Sequence, residues 1–138
     1  MSESTKALAE IPPDECWELL RTHTLGVLAF VNDEGQQLLP VNFTEIDGFL
    51  YFRTNPDTVV ADLAEGHRDV AFAVLFQADS FPTGWNVTVR GSTERVTDSH
   101  VESTVLHHPR LDPWVGGERD LVIALSVSTI SGRRIHRS

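Results

Sequence analysis

The sequence predicts a mainly β domain, an antiparallel sheet that closes on itself and carries three short helices. Three observations lead there. Six or so short segments are apolar or alternate in the way strands do. They follow one another through tight turns and are not each followed by a helix, which argues against a doubly wound α/β fold. At 138 residues the chain makes one domain with room for a modest core.

Residues 1–10 are polar and are expected to form a flexible N-terminus ahead of a single domain over 11–138. Pro12, Pro13 and Asp14 start a first helix, because proline suits the first turn and an acidic group suits the positive end of the helix dipole. The helix body over 16–23 places Cys16, Leu19 and Leu20 on one side and is expected to end near Gly26. Residues 27–31 read as a short strand, 32–35 as a hairpin turn and 38–43 as the returning strand. Pro40 inside that strand cannot donate to a ladder, so an edge, a bulge or a ligand should lie beside it. After a turn at 46–48, residues 49–53 alternate. Phe49, Tyr51 and Arg53 share one face, and Leu50 and Phe52 the other.

A second helix is expected over 57–65, closed by Gly66. Residues 70–76 are nearly all apolar, as in a strand covered on both faces. A loop over 77–84 leads to the longest strand, 85–96, where Gly91 marks a bend or bulge. Asp98 can cap a third helix over 99–107. A loop containing Trp114 precedes a last strand over 121–130 and a basic tail.

Composition narrows the function. The formal charge is −9. Such acidity argues against general nucleic-acid binding and against docking on an anionic membrane. Lys6 is the only lysine, and three of the ten arginines (Arg133, Arg134, Arg137) crowd the last six positions. A basic tail on an acidic chain suggests a segment that folds onto something negative; a solvated terminus that aids solubility is the favoured reading. Cys16 stands alone, so no internal disulfide forms. No apolar run approaches a membrane span, and the N-terminus lacks a signal-peptide core. The expectation is a soluble, cytoplasmic protein.

The segment 37–63 gathers the most chemistry. A strand ending in Arg53 and Thr54 runs through a proline turn into a helix starting at Asp57 or Thr58. Free backbone N–H groups, two hydroxyls and a guanidinium suit a phosphate. Capping by Thr58 and an ion pair of Arg53 with Asp57 or Asp62 would account for the same residues without a ligand. Val59 and Val60 leave no second cation. Asn42, Trp85 and Asn86 could line a flat pocket for a planar heterocycle, or be core and turn formers. His107 and His108 diverge by about 100° on a helix and cannot share a metal, and each histidine reads as solvated. There is no Gly-x-Ser-x-Gly elbow and no glycine-rich phosphate loop. The residues alone reach a small β-barrel-like domain with a phosphate-bearing ligand.

The motifs LLPVNF, GFLYFRTNPDT, GWNVTVRGSTERV and SGRRI stand in an order and spacing that resembles the pyridoxamine 5′-phosphate oxidase-like family of flavin-binding split barrels. The likeness is nearest to its small actinobacterial-type branch, which is related to nitroimidazole-resistance-like proteins. The resemblance implies a six-stranded antiparallel split β-barrel, a homodimer, and FMN in a groove between subunits. It places Leu39, Pro40, Val41, Asn42 and Phe43 beside the isoalloxazine through their backbone. Arg53, Thr54 and Thr58 would hold the phosphate. Trp85 and Asn86 would touch the ring from the partner subunit, and Arg133 matches a C-terminal arginine near the cofactor. Where relatives carry Lys or Arg after the Thr58 position, this chain has Val59, then Val60. The implied function is a flavin-dependent reductase or oxidoreductase on a small-molecule substrate. The alternative is a non-catalytic binder or sensor with a weakened phosphate site. Deazaflavin and haem are other cofactors of this fold.

Overall fold

All the described strands join one antiparallel sheet. The computed structural model describes residues 6–78, 83–111 and 121–137. In chain order the elements are β1 (Lys6–Glu10), α1 (Pro13–Leu20), β2 (Leu25–Asn32), β3 (Gly35–Asn42), β4 (Thr44–Ile46) and β5 (Phe49–Thr54). A 3-10 segment (Val59–Glu65) leads to β6 (His67–Gln77), β7 (Gly84–Arg95), α2 (Ser99–Leu106), a 3-10 turn (Pro109–Leu111) and β8 (Leu121–Arg137). The sheet order is β3-β2-β6-β7-β8-β5-β4, with β1 paired to β8.

The mainly β split-barrel class holds, with eight strands where six were expected. The two extra strands have physical causes. Residues 6–10 are not a loose terminus, because β1 pairs with the end of β8, Lys6 opposite Arg137 and Glu10 opposite Arg133. Residues 1–5 and the expected loop around Trp114 lie outside the described residues. β4 separates from β3 only by Phe43, whose side chain turns into the core. The two terminal strands of the sheet are thus one strand bent at a corner, and this curls the sheet into a barrel.

Pro40 fits that position. β3 bonds β2 on one side, and it ends the sheet order on the other. Gly91 also behaves as expected. The ladder shifts register there: Arg90 pairs with Thr129 and Gly91 with Val127, so Ser128 is the extra residue. The Ser128 hydroxyl donates to the Arg90 carbonyl at 2.9 Å. The basic tail is not a solvated terminus. Its residues up to Arg137 extend β8, flanked by β7 and β1.

The core fills the barrel. Leu28 and Phe30 of β2, Leu50 and Phe52 of β5, Val70, Phe72 and Val74 of β6, Val87 and Val89 of β7, and Ile123 and Leu125 of β8 form its body. α1 closes one end with Cys16 and Leu20, both fully buried. Gly26 does not cap this helix. It lies in β2, where a Cβ would come within 2.2 Å of the Phe72 ring. A second cluster, Tyr51, Val96, Val105, Leu111, Val122 and Ala124, sits under α2 on the other face of β5. Asp98 caps α2, accepting from the backbone N–H of His100 and Val101. The expected second helix is the 3-10 segment, shorter at its start and closed by Gly66 at φ 96°. β6 is covered on one face only: Leu75 on its outer face is 65% exposed.

Two outcomes follow. At Gly91 a Cβ would stand 1.9 Å from the Ser126 carbonyl oxygen, in backbone that cannot yield. Gly91→Ala should lower unfolding free energy by about 3 kcal/mol in urea titrations, whereas Ser92→Ala at the exposed neighbour should change it by no more than ~0.5 kcal/mol. Burial, reinforced by Glu15, pushes the Cys16 thiol above its ordinary pKa, with Arg134 opposing. Its contribution to stability is therefore complete below the ordinary thiol range and is lost as pH rises through the raised value. An aromatic disulfide reagent at pH 8 should leave the native thiol unreacted and titrate one thiol after denaturation.

Candidate functional site

The end of β5 directs its side chains to two places. Strand alternation sends Arg53 to the face covered by α2, with Tyr51. There its Nη1 donates to the carbonyls of Leu106 at 3.3 Å and Leu111 at 3.2 Å. Leu106 ends α2, so a guanidinium meets the negative end of that helix. Thr54 has the parity of Leu50 and Phe52 and faces the other way. Its hydroxyl meets that of Thr58 at 2.5 Å, and Thr58 Oγ1 donates to the Asn55 carbonyl at 2.8 Å. The structure therefore brings Thr54 and Thr58 together and turns Arg53 away from them. The Thr58 side chain makes no capping bond to the 3-10 segment that follows. Val59 beside it is 40% exposed, while Val60 belongs to the core. Asp62, an alternative partner for Arg53, instead accepts from Asn32 Nδ2 at 3.0 Å.

β3 touches β5 at this corner. Leu39 and Val41 pack against the barrel core, and the Phe43 ring is buried edge-on to Phe72, 4.8 Å between centroids. Pro40 faces out. What 39–43 can offer a ligand is therefore backbone along the sheet's edge, the Pro40 ring and Asn42.

The third group lies on β7 and β8. Asn86 and Arg133 are directly opposed, and Leu75 of β6 stands on the other side of Asn86. Together with Ile135 they border a concavity of about 450 Å³. Trp85 lines the same concavity, but its parity differs from that of Asn86. Its ring packs against the core, stacks on Phe76 at 5.9 Å and meets the edge of His23 at 5.1 Å. His23 is thus held among aromatic rings rather than solvated, and His67 packs edge-on to Phe30 with its Nδ1 buried.

Sequence reasoning missed Leu75, Phe76, Ile135 and His23. Alternation of Arg133, Ile135 and Arg137 with Arg134 and His136 was a strand signal hidden by its charge. Arg134 faces inward and pairs with Glu15 of α1. Further along the outer sheet face, a wider concavity of about 710 Å³ is bordered by Ala29, Val31, Leu38, Ala71, Arg68 and Arg90.

The bonds of Arg53 have a measurable consequence without any ligand. Arg53→Gln should destabilise the protein by roughly 1–3 kcal/mol, because two carbonyls lose a charged donor. Arg53→Lys should recover part of this. An unchanged thermal midpoint in Arg53→Gln would show that the guanidinium does not anchor α2.

The fold is shared with known proteins. The chain is 28% identical over 137 residues to the uncharacterised protein Rv0080 of Mycobacterium tuberculosis, covering 96% of this chain and 89% of that protein. The FAD binding protein of Mycobacterium smegmatis superposes with a TM-score of 0.77 at 25% identity, covering 94% of this chain and 99% of that one. The FAD and heme binding protein of Mycobacterium smegmatis has the same fold, with a TM-score of 0.69 at 17% identity, covering 97% of this chain and 73% of that one. A family model described as pyridoxamine 5′-phosphate oxidase matches residues 12–134, from the proline before α1 to the ion-paired Arg134, and the chain belongs to that family.

Proposed function

We propose that this protein binds a flavin nucleotide in a groove built by two copies of the chain and acts as a flavin-dependent reductase or oxidoreductase on a small molecule in the cytoplasm. The observation that carries this reading is family membership over nearly the whole chain, beside structural relatives described as FAD binding. FMN is the first candidate and FAD the second.

The residues fit a flavin phosphate in part. The paired hydroxyls of Thr54 and Thr58 stand at the strand-to-segment corner, next to the backbone edge of β3. Both can turn to donate to phosphate oxygens. The cation is the weak point. Arg53 is bonded to carbonyls on the far face of β5, and Val59 and Val60 carry no charge. Loss of one charged contact costs on the order of 1–3 kcal/mol, one to two powers of ten in affinity. Support for two copies comes from the outer sheet face, where Val31 is 61% and Leu38 72% exposed around the wider concavity. When bound, the flavin supplies the electron chemistry. The chain contributes donors at the phosphate, backbone and Pro40 beside the ring, and from the second copy the β6–β8 wall that carries Asn86 and Arg133. Among the described residues no helix is long and apolar enough to cross a membrane.

Val59 and Val60 favour a second reading, a binder or sensor that holds the ligand without turnover. NAD(P)H consumption above the free-flavin rate would exclude it.

An absorption spectrum of the purified protein followed by FMN and FAD titrations tests the main reading. A flavin band near 450 nm, or a rise in melting temperature with excess flavin, is expected; colourless protein with no stabilisation by either would refute it. A Soret band would point to haem instead. Val59→Lys places an ammonium at an exposed position beside Thr58 and should tighten FMN by about tenfold, a change of ~1.4 kcal/mol. Unchanged affinity in that variant would remove the phosphate from this corner.

A further inference from the structure

Across the sheet, one row of residues runs Leu75, Asn86, Arg133 and Glu10. Ile135, two residues beyond Arg133, shares its face of β8. Leu75 is 65% and Ile135 42% exposed, and the concavity between them has the volume of a one- or two-ring molecule. Among the described residues that line it, Arg133 alone is charged.

Three other arginines are engaged. Arg134 pairs with Glu15, Arg21 with Glu45 at 2.8 Å, and Arg53 with two carbonyls. The Arg133 guanidinium makes no ion pair or hydrogen bond among the described residues. Glu10 is its neighbour in the β1 ladder but is not bonded to it. A guanidinium beside apolar walls pairs strongly with a planar carboxylate, because two parallel N–H donors match two oxygens. The net charge of −9 repels anions at a distance, but salt screens that repulsion beyond roughly 8 Å, so the local donor decides.

We infer that this concavity selects an apolar one- or two-ring carboxylate, with Arg133 as the specificity-determining counter-charge and the Asn86 amide as a second donor. This rests on the reading of the β6–β8 wall as part of the ligand groove, and it adds the substrate class. Neutral rings gain only the apolar walls, and cationic rings meet a like charge.

The test compares 2-naphthoate with its neutral analogue 2-naphthamide by calorimetric titration of the intact protein, with and without FMN. Naphthoate should bind saturably and at least tenfold more tightly than the amide. Arg133→Gln should abolish that preference while leaving the weak binding of the amide unchanged, and Arg133→Lys should keep part of it. Glu10→Gln should strengthen naphthoate about twofold or more by removing the opposing carboxylate. Circular dichroism and the thermal midpoint of each variant, unchanged from the parent protein, establish that the fold is intact. Non-saturating naphthoate binding, equal affinity for the two probes, or an undiminished preference in Arg133→Gln would overturn the inference. FMN binding without naphthoate selectivity sinks this inference alone. Naphthoate selectivity without FMN binding sinks the flavin reading alone.

Discussion

One strand serves three neighbours, and the barrel depends on it. β8 bonds β5 and β7 along its first part, then β7 and β1 along its last. Extended without a bend, its 17 residues would measure about 56 Å, whereas a domain of this size has a radius of gyration of roughly 14 Å. The strand must turn, and Ser128 is where an additional residue lets it do so. Gly91 faces that turn because only a residue without a Cβ tolerates the Ser126 carbonyl so close. Everything that borders the candidate groove on this side, from Asn86 to Ile135, lies beyond the bulge.

The same strand geometry separates groups that look adjacent in the sequence. Arg53 and Thr54 are consecutive, and a phosphate-site argument treats them as a unit. In a strand, consecutive residues serve opposite faces. Arg53 goes to the small core under α2, where the last carbonyls of a helix want a positive charge. Thr54 goes to the corner with Thr58. Trp85 and Asn86 part in the same way, the indole to the aromatic cluster with His23 and the amide to the outer face.

Much of the fold was legible because its signals are local. Asp98 caps α2, Pro13 opens α1, Gly66 closes the 3-10 segment, and Gly91 marks the bulge, each by a rule that needs only neighbouring residues. The misses came from distant partners. β1 is short and follows a polar run, and it becomes a strand because β8 offers it a free edge. The tail reads as a solvated basic run in preference to one that folds onto a negative group, yet Arg134 finds Glu15 more than a hundred residues away. Gly26 reads as a helix stop until the Phe72 ring is seen against it. Candidate residues such as Thr54, Thr58, Asn86 and Arg133 stood out one by one, but which side chains share a face did not. That depends on strand parity, and through β8 on a bulge whose extra residue lies on the strand opposite the glycine that signals it.

The proline near the middle of β3 has a consequence beyond any ligand. An outermost strand is a template on which foreign chains can stack into fibres. Here that strand bends through Phe43 to become the sheet's other margin, so little straight border is left to copy. At Pro40 the backbone also lacks the hydrogen that an incoming chain would need. The imino ring therefore acts as a guard against polymerisation, and it sits on the stretch of backbone that a flavin would be expected to approach.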